Sequence, residues 1–193
     1  MELSNPSSYK YYRLIIRATF GTGFGNTYLS QMSLNTNRYS KFITTYPVVP
    51  MTQDVTTLAN GETYIASVSV VQSYNNNAGA AYNVFDHSNT TFWSTPAYGY
   101  SANGPYQGST VTVADGVNIG GEWVQIQLPR PTTIYSVSLI WRYLVDGIPF
   151  NEAKLISIVG STDGNSWTLL AEADWSNLDF AALSPKGAFG CRR

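Results

Sequence analysis

Residues able to carry acid-base or nucleophilic chemistry are few in this 193-residue chain, and they are scattered. His87 is the sole histidine, in the stretch Phe85-Asp86-His87-Ser88, and Cys191 is the sole cysteine. A lone histidine in a loop is more often a hydrogen-bonded surface residue than a general base. Asp and Glu together number 12, and no spacing pairs any two of them as an acid/base couple. There is no G-x-S-x-G elbow, no Walker loop and no H-E-x-x-H. GTGFGN (21–26) fails the G-x-G-x-x-G spacing and connects two expected strands, so it reads as a hairpin turn. One cysteine allows neither an intrachain disulfide nor a zinc-ligand cluster. The expectation is a non-catalytic protein held together by packing.

Composition narrows the partners. Charged residues are only 12% of the chain, while there are 14 Tyr and 5 Trp, so the surface must be polar without being charged. Such a surface suits a secreted, particle-borne or glycan-facing protein. The net charge is -1 and the 11 Lys and Arg form no cluster, which argues against nucleic acid and anionic membranes as partners. No stretch approaches the roughly 18 apolar residues of a membrane span, and MELSNPSSYKYYRLII lacks the pattern of a secretion signal. Together with the cysteine poverty, this points to assembly inside a cell.

The elements that must position any site are strands. In EWVQIQL (122–128) Val124, Ile126 and Leu128 face one way and Gln125 and Gln127 the other, the period-two pattern of a half-buried strand. Tyr135, Val137, Leu139 and Trp141 repeat it in TIYSVSLIWR (133–142), with the prolines of LPRPTT marking a turn between the two strands. KLISIVGS (154–161) and SWTLLAE (166–172) flank Asp163-Gly164, a hairpin signal in which both central residues are expected at positive φ. YIASVSVVQ (64–72) is a further strand, entered through Asn60-Gly61. Only NEAKL and the EADWSNLDFAAL region could form a helical turn or two. Short strands between Gly, Pro and Asn turns predict an all-β antiparallel sandwich or barrel.

Three motifs, in order and at matching spacing over residues 64–170, carry a family resemblance. AAYNVFDHSNTTFWST (80–95), GEWVQIQLPRPTTIYSVSLIWR (121–142) and SIVGSTDGNSWTLL (157–170) resemble the signatures of the discoidin family, the coagulation-factor type C domains of the galactose-binding-like superfamily. The resemblance implies a jelly-roll β-sandwich. YKYYRLIIRATFGTGFGNTYLSQMSL (9–34) looks like the closing strands of such a module, displaced to the beginning of the chain. That suggests a segment 1–46 preceding a main sandwich over 47–193. Residues 9–34 then return to the sheet of their own chain, as in a circular permutation, or complete a neighbouring copy by strand exchange, or are the tail of one module in a tandem array. Leaving YYRLII unpaired would expose open edges, which favours the first two. Residues 35–63 reach roughly 95 Å when extended, enough for either.

The resemblance also implies sites. Its calcium loop corresponds to NVFDHSNTT, with Asp86 as the carboxylate and Asn83 and Thr91 as further oxygen donors. The family's additional Glu aligns with about Ser33, which weakens the case, and the competing reading is that Asp86 caps its own loop. The family's ligand end corresponds to QSYNNNAGAAY (72–82) and STPAYGYSANGPYQGST (94–110). Tyr74, Trp93, Tyr98, Tyr100, Tyr106 and Arg142 are the expected glycan- or partner-contacting residues there, since aromatic faces stack on sugars. The combination of NGETYIASVS, YNVFDHSNTTFWS, a Gly- and Tyr-rich insertion and GEWVQIQLP is similar to discoidin-like modules in virion proteins of large double-stranded-DNA viruses. Two functions follow as expectations. One is a structural component of a virion, such as a minor capsid protein, touching other subunits or copies of itself. The other is an extracellular carbohydrate-binding module.

Overall fold

The computed structural model describes residues 1–4, 6–20, 27–36, 44–71, 79–101, 104–141 and 153–176. Twelve strands run in chain order: β1 Ser8–Thr19, β2 Tyr28–Asn35, β3 Thr45–Tyr46, β4 Val55–Thr57, β5 Thr63–Val68, β6 Trp93–Ser94, β7 Val111–Ala114, β8 Val117–Gly120, β9 Glu122–Thr133, β10 Ser136–Trp141, β11 Ala153–Ser161 and β12 Thr168–Asp174. Among the described residues there is no α-helix, and one 3-10 turn covers Ala81–Val84. Six strands form one antiparallel sheet in the order β12-β11-β1-β9-β5-β4. Four form a second, β10-β2-β3 with β6 also on β2, and β7 pairs with β8 as a separate two-stranded hairpin, bridged to Trp167 through Ala114. The architecture is all-β and β-sandwich-like, as alternation predicts.

The first strand finds its partners within the chain. β1 lies between β9, with Tyr12 opposite Ile126, and β11, with Tyr12 opposite Gly160. Its alternate residues Tyr12, Leu14 and Ile16 are buried and meet Val124, Ile126 and Leu128 from β9 and Ile156 and Ile158 from β11. The second sheet closes this core with Leu29, Met32, Leu34, Trp93 and Val137. β1 is unusual in that Ile15, on its other face, is also buried, beneath the β7–β8 hairpin in a second cluster with Ala114, Ile119, Val159 and Trp167. Both faces of the strand are covered, hence the continuous apolar run LII.

Three expectations need correction. GTGFGN does not join a hairpin: β1 and β2 lie in different sheets, and residues 21–26 themselves fall outside the described residues. The prolines at 129 and 131 do not end β9, which runs on to Thr133. They sit where the ladder is already irregular, since Tyr11 pairs with Gln127 but Tyr9 with Thr132, and where pairing with β5 has stopped at Gln127. A proline at such a bulge forfeits no ladder bond. The strands on either side of LPRPTT are therefore one long strand and a second in the opposite sheet. At Asp163-Gly164 only the glycine has positive φ (81°). Asp163 instead accepts backbone N-H groups of Ser166 and Asn165 (2.8 Å each) and the Ser161 hydroxyl (2.9 Å). Those bonds, that of Ser166 foremost, hold its carboxyl down at about 2.

Candidate functional site

The segment 94–110 carries no charged residue, yet it is firmly mounted. Two tyrosines do the mounting. Tyr100 donates its hydroxyl to the Ile16 carbonyl (2.8 Å) and accepts the Glu122 backbone N-H (3.2 Å). Tyr106 donates its hydroxyl to the Glu122 carboxylate, and its backbone N-H reaches the Arg17 carbonyl (2.9 Å). The two rings lie 5.3 Å apart. A Cβ at Gly108 would overlap the Tyr106 hydroxyl, so glycine is what lets the chain pass here. Glu122 is buried, and Ser69 (2.5 Å) and Thr110 (3.4 Å) add hydroxyl donors to its carboxylate. Burial raises the Tyr100 hydroxyl well above its ordinary value, and burial with the bond to Glu122 raises Tyr106. Both remain neutral donors across the physiological range.

This mounting leaves one aromatic facing solvent. Tyr98 is 70% exposed and has φ of 64°, a left-handed conformation uncommon for a large side chain. Its turn is closed by Gly99 N-H to the Pro96 carbonyl (3.2 Å) and Gln107 N-H to the Gly99 carbonyl (2.9 Å). Of the other predicted contacts, Trp93 is fully buried and donates its indole N-H to the Val70 carbonyl (3.0 Å). Tyr100 is a core residue, and Tyr106 is half-buried. Tyr74 and Arg142 lie outside the described residues.

The Asp86 loop is a self-capped turn. One carboxylate oxygen accepts the Ser88 backbone N-H (2.9 Å) and the other the Thr91 hydroxyl (2.6 Å), while Asn83 is buried and donates its amide to the Phe92 carbonyl (3.0 Å). His87 sits at φ of 59°, its Nε2 within 3.1 Å of the Pro47 carbonyl. Ser33 hydrogen-bonds Gln31 (3.2 Å) on the outer side of β2. The structure therefore gives Asp86, Asn83 and Thr91 hydrogen-bonding roles within the protein. Among the described residues, no three His, Cys, Asp or Glu side chains converge on a metal position.

Two residues that sequence reasoning passed over hold this end together. Glu122 shares the parity of Val124, Ile126 and Leu128, so its burial was legible. Arg13 stacks its guanidinium between Trp123 (3.9 Å) and Trp167 (4.0 Å) and hydrogen-bonds Gln125 (2.8 and 3.1 Å) and Thr112 (2.8 Å). Thr112 belongs to β7, so one side chain ties the hairpin to the sheet. Burial lowers the guanidinium to about 10, still charged at neutral pH. No family model, curated protein or solved structure matches this chain.

Proposed function

We propose that this chain is a non-catalytic interaction protein, a structural component of a virion built on a circularly permuted discoidin-like jelly roll. The observation that carries the reading is Tyr98: an exposed aromatic on a loop without charges, fixed by bonds from Tyr100 and Tyr106 to β1 and Glu122. A rigid aromatic mount lowers the ordering cost of a protein contact, and uncharged surroundings avoid desolvating ions. Placement of β1 inside its own sheet supports the permuted arrangement over exchange. The chemistry of Asp86 and His87, both engaged in holding turns, supports a non-catalytic role.

A second reading, carbohydrate binding, draws on the same ring. An exposed tyrosine face on a loop that also carries Gln107 has the composition of a sugar platform. One experiment separates the two. Wild type and Tyr98→Ala are compared for co-sedimentation with purified particles and on a glycan array with and without calcium. The expected result is particle association of the wild type, weakened roughly tenfold or more in the variant, with unchanged melting temperature and an empty array. A sugar signal that Tyr98→Ala abolishes, without particle association, would replace the structural reading by the lectin one.

A further inference from the structure

Among the described residues β10 is an edge strand, and only half of its outer edge is paired. On its inner side it pairs with β2, Ser138 opposite Ser33 and Ile140 opposite Gln31. On the outer side, Val137 bonds Met1 through both its backbone groups (2.8 Å each), and Leu3 N-H reaches the Tyr135 carbonyl (2.9 Å). Strand alternation then directs the backbone groups of Leu139 and Trp141 the same way, beyond the reach of Met1. Among the described residues, nothing continues that row. Proteins usually guard such edges with Lys, Pro or a bulge. SVSLIW contains neither Lys nor Pro, and the irregularity of its ladder at Ile140/Trp141 places the extra residue, Ser30, on β2.

The side chains say what fits. On the outer face of this sheet, Gln31, Ser33, Asn35, Ser136 and Ser138 present amides and hydroxyls, and Ile140, 37% exposed, is the apolar exception. Leu139 and Trp141 turn inward, against the core. We infer that β10 pairs antiparallel with the β10 of a second copy across a two-fold axis at Ile140. That register joins Leu139 of each copy to Trp141 of the other by backbone hydrogen bonds. It also sets Ile140 against Ile140 in a non-hydrogen-bonded pair, where side chains approach most closely. At the axis a residue meets its own copy, so a charge at position 140 would face a like charge; β10 has an isoleucine there and no charged residue along its length. The inference rests on the interaction-protein reading and deepens it by naming one partner, at a surface that does not use Tyr98.

Sedimentation of the full chain over a concentration series, with Ile140→Lys beside it, tests the pairing. The expected result is a reversible wild-type dimer, weakened roughly tenfold or more by opposed lysines. In a Cys191→Ser background, Ile140→Cys is expected to form a disulfide-linked dimer under mild oxidation. Ser138→Cys, which in this register does not meet its own copy, is expected not to. A wild type that stays monomeric at its highest soluble concentration overturns the inference, as does a dimer that ignores Ile140→Lys or crosslinks equally through Ser138→Cys. None of these outcomes touches the interaction reading, which falls if the wild type does not associate with particles or if Tyr98→Ala leaves that association intact.

Discussion

On the outer side of the six-stranded sheet, Arg13 lies between two indoles beneath a hairpin; on the outer side of the four-stranded sheet, Gln31, Ser33, Asn35 and Ser138 hydrogen-bond one another at the surface. Both faces belong to strands with the same period-two pattern. What differs is what lies above them. The β7–β8 hairpin brings Ala114 and Ile119 onto Ile15, Val159 and Trp167, creating a second core outside the sandwich. Nothing described does that for the smaller sheet, which covers itself with uncharged polar groups instead. Alternation in one strand thus reveals that it has two faces, but a distant segment decides whether the second face is wet.

The comparison breaks most sharply at Trp167. Trp167 is 7% exposed and its ring forms one wall of the Arg13 clamp, so Trp167→Ala is expected to cost about 3 to 5 kcal/mol in urea unfolding. Amide exchange in 111–120 should rise with it. Should the hairpin stay protected while global stability falls, the clamp would not be what holds it down.

Adjacent residues of β1 sharpen the contrast. Tyr12 points into the main core, and burial, as the dominant cause, pushes its hydroxyl up to about 12; Arg13 points outward, and burial pulls it down. A phenol whose folded value is raised contributes stability that is complete below the unfolded value of about 10 and is lost as pH climbs towards 12. Tyr12→Phe is therefore expected to retain about 2 kcal/mol more of its own neutral-pH stability than wild type does across that window. Denaturant midpoints with tyrosinate absorbance would show it. Equal alkaline losses in the two proteins would mean that Tyr12 is not held neutral.

The smallest effect belongs to the uncovered face. Ser138→Ala removes one exposed hydroxyl that accepts from Asn35 (3.2 Å), and a change within about 0.5 kcal/mol is expected by thermal melting of the monomer. A larger loss would show that the polar face is a cooperative network.

Much of this architecture is legible in the sequence. Val124, Ile126 and Leu128 were assigned to one face by spacing alone, and they are buried together. The β7–β8 hairpin carried a signal that went unread: Asp115-Gly116 between VTVA and VNIG, with both residues at positive φ (49° and 77°), is the two-residue turn that Asp163-Gly164 only resembles. The run of β9 through two prolines was not legible, because it depends on a bulge set by its neighbour. In the aromatic cluster, sequence could nominate Tyr98, Tyr100 and Tyr106 together but could not sort them. Their fates depend on where the Ile16 carbonyl and Glu122 carboxylate lie, contacts 16 to 84 residues away along the chain.

The position of β1 has a kinetic side as well. Tyr11 pairs with Gln127 on one flank and Ser161 on the other, so β1 is made well before either of its partners. Closing loops of that length before their contacts form makes folding slow. During synthesis, YYRLII waits with both edges open until β9 has left the ribosome and with one open until β11 has, the interval in which a chaperone would matter most to this protein.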